Sequence, residues 1–297
     1  MIIDFRYHVA SLVAIFLALG IGILIGGALL GNTALQKELG QIQEDLAKLR
    51  NDQRALSAEI EQREADLRVY RQFGAAVLPA LVKDKLVGKR AALVRTNPGT
   101  DARLARDLAR LLEVAGCEVT STTTFLRDPA ELAPEKLQTL AAQLGIEGEE
   151  PAALAERVLR VAIDRIVNGP LYGESAGKTL LSYLSGAKII ETGGDYSGMV
   201  DILIFFVGSS DPALDTGGRM ERVLLDTATE TKGLLVAAVE PTTTARSSLT
   251  EYLKYPIIVV DNIDSAPGQT ALVFALVRGK KGHYGVKNSG QLLPEVF

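Results

Sequence analysis

The sequence predicts an α/β chain in three parts: an N-terminal transmembrane helix, a parallel coiled coil, and a mostly parallel sheet domain. Three patterns carry this reading. Residues 9–30 hold no charge, residues 35–70 follow a heptad repeat, and short apolar strands alternate with helices from residue 89 onward. The parts divide at 1–32, 33–73 and 74–297.

The apolar run would cover roughly 33 Å as a helix at about 1.5 Å per residue, enough for a hydrocarbon layer. It is longer than the apolar core of a cleaved signal peptide, and no small-x-small cleavage site follows it, so it reads as an uncleaved signal-anchor. Within it Ala10, Ala14, Ala18, Gly22 and Gly26 recur every fourth residue, a ridge on which two helices can approach closely in lipid. Small residues are also simply common in membrane helices. Arg6 precedes the span, and Lys37, Lys48 and Arg50 follow it among acids, so counting basic residues leans towards a cytoplasmic bulk.

Beyond the span, Leu35, Leu39, Ile42, Leu46, Leu49, Gln53, Leu56, Ile60, Arg63, Leu67 and Tyr70 alternate by steps of four and three. With Leu39 at an a position, the g column is Glu38, Asp45, Asp52, Glu59 and Asp66, all acidic. An antiparallel pair would set that column against itself. A parallel pair faces g with the next e, matching Asp45 with Arg50 and Asp66 with Arg71, although Glu59 then meets Glu64. A parallel homodimer anchored in one bilayer follows. The alternative is a single amphipathic helix lying on its own globular domain.

Phe73-Gly74 closes the heptads, and Pro79 is read as interrupting the helical stretch after them. Strands are then predicted at 89–96, 118–124, 188–191, 201–207, 233–239 and 257–260. Helices are predicted at 101–115, 133–144, 151–168, 218–230, 247–252 and 268–277. Near-continuous apolar strands such as DILIFFV imply burial on both faces, hence a doubly wound, Rossmann-like or flavodoxin-like sheet.

In such sheets ligands bind past the carboxyl ends of the strands. Those ends carry Asn97, Asp101, Asp211, Glu240, Asp261 and Asn262, a candidate polar crevice. Thr100, Asp101, Ser210 and Asp211 read better as helix caps and turn formers than as ligand-binding groups. No position combines a nucleophile with a nearby base, so no enzyme is indicated. The 173–179 segment GESAGKT imitates a phosphate loop, but only three residues separate its glycines and Tyr172 occupies the required glycine position, so a surface turn is expected.

Composition excludes further classes. Thirty-two basic against 36 acidic residues, with no basic block, argues against nucleic-acid binding. One cysteine, Cys117, excludes an intrachain disulfide framework and a cysteine metal cluster. Met1, Met199, Met220, His8 and His283 are scattered, with no pair at ligand spacing, so no cofactor is indicated by the residues themselves.

Two terminal motifs add a resemblance. Residues 4–13, DFRYHVASLV, lead into the apolar helix; Val260-Asp261-Asn262-Ile263-Asp264 with Gly268-Gln269, and Gly282-His283-Tyr284-Gly285-Val286 before Leu292-Leu293-Pro294, end the chain. In these motifs and across its whole length the chain resembles the mycobacterial copper transport family MctB. The resemblance implies a single-pass cell-membrane protein with coiled coil and α/β domain outside the cytoplasm, acting in copper efflux or homeostasis. It also implies, from a related branch, a cell-envelope factor that pairs with a thiamine-pyrophosphokinase-like membrane partner and regulates a peptidoglycan hydrolase through its coiled coil.

Overall fold

The computed structural model describes residues 5–148, 150–170, 180–209, 211, 218–287 and 290–295, with backbone alone over 29–35. Asp4 and Met1, the side chain of Leu35, the 172–179 segment and Ser210 lie outside the described residues. The chain divides into two compact units at Val69/Tyr70.

The first unit belongs to one helix, α1 (Phe5–Val82). Its segment Phe5–Ala28 has a mean hydropathy of 2.7 and no buried residue, as a lipid-facing span requires. A side chain added at Gly22 or Gly26 would meet nothing within 4 Å, so that ridge is open. In the charged part, i,i+4 pairs support the helix: Arg63 reaches Glu59 at 2.6 Å and Arg68 reaches Glu64 at 3.9 Å.

In the second unit α1 runs on through Phe73-Gly74 and Pro79, contrary to the predicted interruption. Pro79 lies on the exposed side, where its missing N–H leaves only a solvent-facing carbonyl without a helical partner. Leu78 and Val82, four residues apart, are buried in the core and hold the last turns in place.

The sheet has seven strands: β1 (Arg90–Arg95), β2 (Glu118–Phe125), β3 (Ile190–Gly194), β4 (Ile202–Phe206), β5 (Leu235–Val239), β6 (Ile258–Val260) and β7 (Gly282–Tyr284). Their spatial order is β3-β2-β1-β4-β5-β6-β7, all parallel except β3. This is the predicted doubly wound α/β arrangement, with the order reversing between β1 and β4. Strand β3 starts later than predicted because Lys188, at φ +56°, turns the chain out of the preceding helix before pairing begins.

Helices cover both faces. On one lie α2 (Ala102–Val114), α8 (Ala266–Arg278) and the end of α1, packed on Leu93, Ile204 and Val260. On the other lie α3 (Pro134–Gln143), α4 (Pro151–Asn168), α5 (Leu180–Gly186), α6 (Gly218–Glu230) and α7 (Leu249–Tyr252), packed on Val94, Phe205 and Val259. The alternation along each strand follows from the period of two.

Besides a 3-10 turn at Pro129–Glu131, two elements were not predicted, α5 and β7. Strand β7 is three residues long, begins with glycine, and has no apolar run to announce it. Its crossover is also unusual. Helix α8 covers the same face as α2, yet leads from β6 outward to β7, whereas α2 leads from β1 towards the opposite edge. The β6–α8–β7 crossover therefore has the opposite hand to those through α2 and α6. Parallel crossovers are nearly always of one hand, so β7 needs specific fastening.

Leu108 on α2 is fully buried beneath the sheet. Leu108→Ala should lower unfolding free energy by about 3 kcal/mol in urea titration, whereas Val277→Ala, at a 45% exposed position, should change it by less than about 0.5.

Candidate functional site

The strand ends at the order reversal form a hollow of about 590 Å³, lined by Arg95, Thr100, Asp101, Ser209, Thr244 and Asp264 among others. Of the six crevice residues read from sequence, only Asp101 lines it. Asp101 also caps α2, its Oδ1 accepting from the amides of Arg103 at 2.7 Å and Leu104 at 3.4 Å. Those are the amides that would cradle a phosphate at this helix end, and the chain's own carboxylate already holds them.

Arg95 is the cation in the wall, and it is bound internally. Its guanidinium donates to Thr100 Oγ1 at 2.9 Å, the Thr100 carbonyl at 2.5 Å, the Pro98 carbonyl and Thr124 Oγ1. Burial lowers its pKa, against the opposing charges of Glu191 and Asp101. Asn97 lies fully buried, its amide donating to the Gly208 carbonyl at 3.2 Å and so tying the end of β1 to the end of β4. Asp211 is exposed and is held by Ser209, whose hydroxyl donates to the Asp211 carbonyl.

Glu240 and Asp261, at the ends of β5 and β6, are fully buried and belong to a second, solid cluster. Asp261 accepts from His283 Nε2 at 2.7 Å, the Val286 amide at 2.7 Å and the Lys287 amide at 2.9 Å. Glu240 accepts from Lys287 Nζ at 2.7 Å and from Ser247 Oγ at 2.8 Å. Two buried carboxylates thus fasten the segment that contains β7. Gly285 passes so close to Asp261 that a side chain there would overlap the carboxylate, and its φ of +144° disfavours one in any case. Likewise Gly268 leaves no room beside Asn262, whose carbonyl accepts from Ser265.

The two motifs at the end of the sequence are therefore one structural clasp. Sequence reading found no residue at metal-ligand spacing from His283; the structure brings it against Asp261, 22 residues away, through the β6–β7 pairing. Ser247 touches Glu240 as a nucleophile touches a base, but Lys287 already binds that carboxylate and the Leu249 amide donates to Ser247 Oγ. The hydroxyl is held in the turn that leads into α7 and is not an activated nucleophile.

Soft ligands are dispersed. Cys117 is buried at the entrance to β2, and burial pushes its thiol up to about 12, with Asp201 and Glu118 acting in the same direction. Met220 is buried and Met199 exposed. Among the described residues no three His, Cys, Asp or Glu side chains gather in a way that could hold a metal ion. A second hollow of about 700 Å³ is walled by Leu132, Leu140 and Tyr183, and its Arg127 donates to the Ala187 carbonyl.

Two outcomes follow. Asp261→Asn should reduce stability by about 2–4 kcal/mol in chemical denaturation, because the amide cannot accept from all three donors. Cys117 should react with a maleimide at pH 8 roughly a thousandfold more slowly in the folded chain than after denaturation, since its thiolate fraction falls with the raised pKa.

Comparison with known proteins identifies relatives along nearly the whole chain. The copper transporter MctB of Mycobacterium tuberculosis is 26% identical over 313 residues, covering 95% of this chain and 96% of that protein. The protein of the same name from Mycobacterium bovis shows the same identity and coverage. That of Mycobacterium leprae is 24% identical over 319 residues, covering 96% of both. A family model described as "Copper transport outer membrane protein, MctB" matches residues 2–294, and the chain accordingly belongs to the MctB family.

Proposed function

We propose that this chain is a single-pass, membrane-anchored protein of the cell envelope that serves copper transport without being an enzyme. Its sheet domain acts as a docking module on a helical stalk, outside the cytoplasm. The observation that carries this is continuity: the apolar span Phe5–Ala28 passes within one helix into the charged stalk of α1. Family membership supplies the copper role.

The chemistry of the sheet domain supports an indirect part in copper movement. Copper(I) favours thiolates and thioethers, yet the single thiol is buried and held protonated. Three of the candidate acids at the strand ends are committed to the fold: Asp101 to a helix cap, Glu240 and Asp261 to the clasp.

A second reading follows the related branch that the sequence resembles. In it the stalk docks a thiamine-pyrophosphokinase-like membrane partner and regulates a peptidoglycan hydrolase. Co-purification from membranes separates the two readings by the identity of the captured protein.

Copper(I) should titrate into the full-length chain in detergent with the same weak heat for wild type and Cys117→Ser. In a strain lacking the gene, both forms should restore copper tolerance to the same degree. Tight binding that disappears with Cys117→Ser would instead make the chain a direct carrier.

A further inference from the structure

We infer that the heptad face of the stalk, from Leu39 to Tyr70, is the interface with a second, parallel copy of this chain. This stands independently of the copper reading. Leu46, Leu49, Leu56 and Ile60 repeat along one face of α1 and are each 49–69% exposed. A soluble helix does not present such a stripe to water without a partner. The stalk carries more acidic than basic residues, so an anionic lipid surface is a poor cover.

The charges flanking the stripe fit another copy in one orientation. A parallel pair brings Asp45 to Arg50 and Asp66 to Arg71, twice each by symmetry, while Glu38 faces Gln43 and Asp52 faces Ser57. The mismatch of Glu59 with Glu64 is relieved within each helix, because Arg63 binds Glu59 at 2.6 Å and Arg68 lies 3.9 Å from Glu64. That same contact draws the Arg63 guanidinium off its d position, leaving only its methylenes on the stripe. Gln53, at an a position, meets its own copy and fixes the register. Antiparallel packing would align five acids with five acids.

The structure also sets where the interface stops. The four-residue stepping continues from Tyr70 through Gly74, Leu78 and Val82, but there the chain's own core covers it. A side chain at Gly74 would come within 3.0 Å of Ala266 Cβ at the start of α8, and Leu78 and Val82 are buried. No room for a second helix remains on that part of the stripe.

The test uses the full-length chain in native membranes, with Cys117→Ser as background and a short bismaleimide as crosslinker. Leu46→Cys and Leu67→Cys should each give a like-with-like dimer, and Ala58→Cys, on the outer f position, should give none. Asp45→Lys should lower the Leu46→Cys dimer several-fold, and Asp45→Lys with Arg50→Glu should restore it. Adducts that join Leu46→Cys chains to Leu67→Cys chains would show antiparallel packing and overturn the proposal. So would adducts to a different protein, or monomer alone when circular dichroism shows the helix intact.

Discussion

The Asp261 carboxylate is the contact on which the far edge of the sheet depends. It lies without solvent exposure at the end of β6 and accepts from one imidazole and two backbone amides of the segment around β7. Strand β7 has three residues and reaches its place by a crossover of the unfavoured hand, so neither its own β-propensity nor chain geometry favours it. A buried carboxylate without partners would be costly, and its three donors come only from that segment. The need to satisfy Asp261 and the need to hold β7 are met by the same four groups. Glu240 repeats the arrangement one strand inward, with Lys287 Nζ at 2.7 Å as its counter-ion.

This has a consequence for the strand ends, where doubly wound sheets ordinarily bind their ligands. At β5 and β6 the carboxylates of Glu240 and Asp261 are turned inward and bound by the clasp. At β1 and β4 a hollow remains, yet Asp101 caps the helix that would receive a phosphate, and Arg95 is bound to Thr100, Pro98 and Thr124. The fold keeps the architecture of a nucleotide-binding sheet while its polar atoms serve stability. That fits a chain whose relatives carry the name of a copper transporter. It also shifts attention from the sheet to the stalk and the span.

Particular elements show how legible the chain was. The apolar strands β4 and β5 and the helices α2, α4 and α6 declared themselves through their hydrophobic pattern, since each strand is an apolar run and each helix is amphipathic. Pro79 misled because the rule against proline in helices assumes a buried or needed carbonyl, and here the residue faces outward while Leu78 and Val82 anchor the turn. The candidate site was read only in part. Asp101, Glu240 and Asp261 were singled out as polar residues at strand ends, but their partners Arg103, Lys287 and His283 were not, and for the last two the partner lies 47 and 22 positions away.

By itself the sequence determined the apolar span, the heptad face and the alternation of strand with helix, because each depends on a repeat shorter than about eight residues, set by one helical turn or one strand pleat. Only the tertiary structure decided that β7 exists, that His283 and Lys287 are the partners of Asp261 and Glu240, and that these two acids are structural. Those facts rest on desolvation of charged groups brought together across the sheet, and no local pattern encodes which distant donor will satisfy a carboxylate once water is removed.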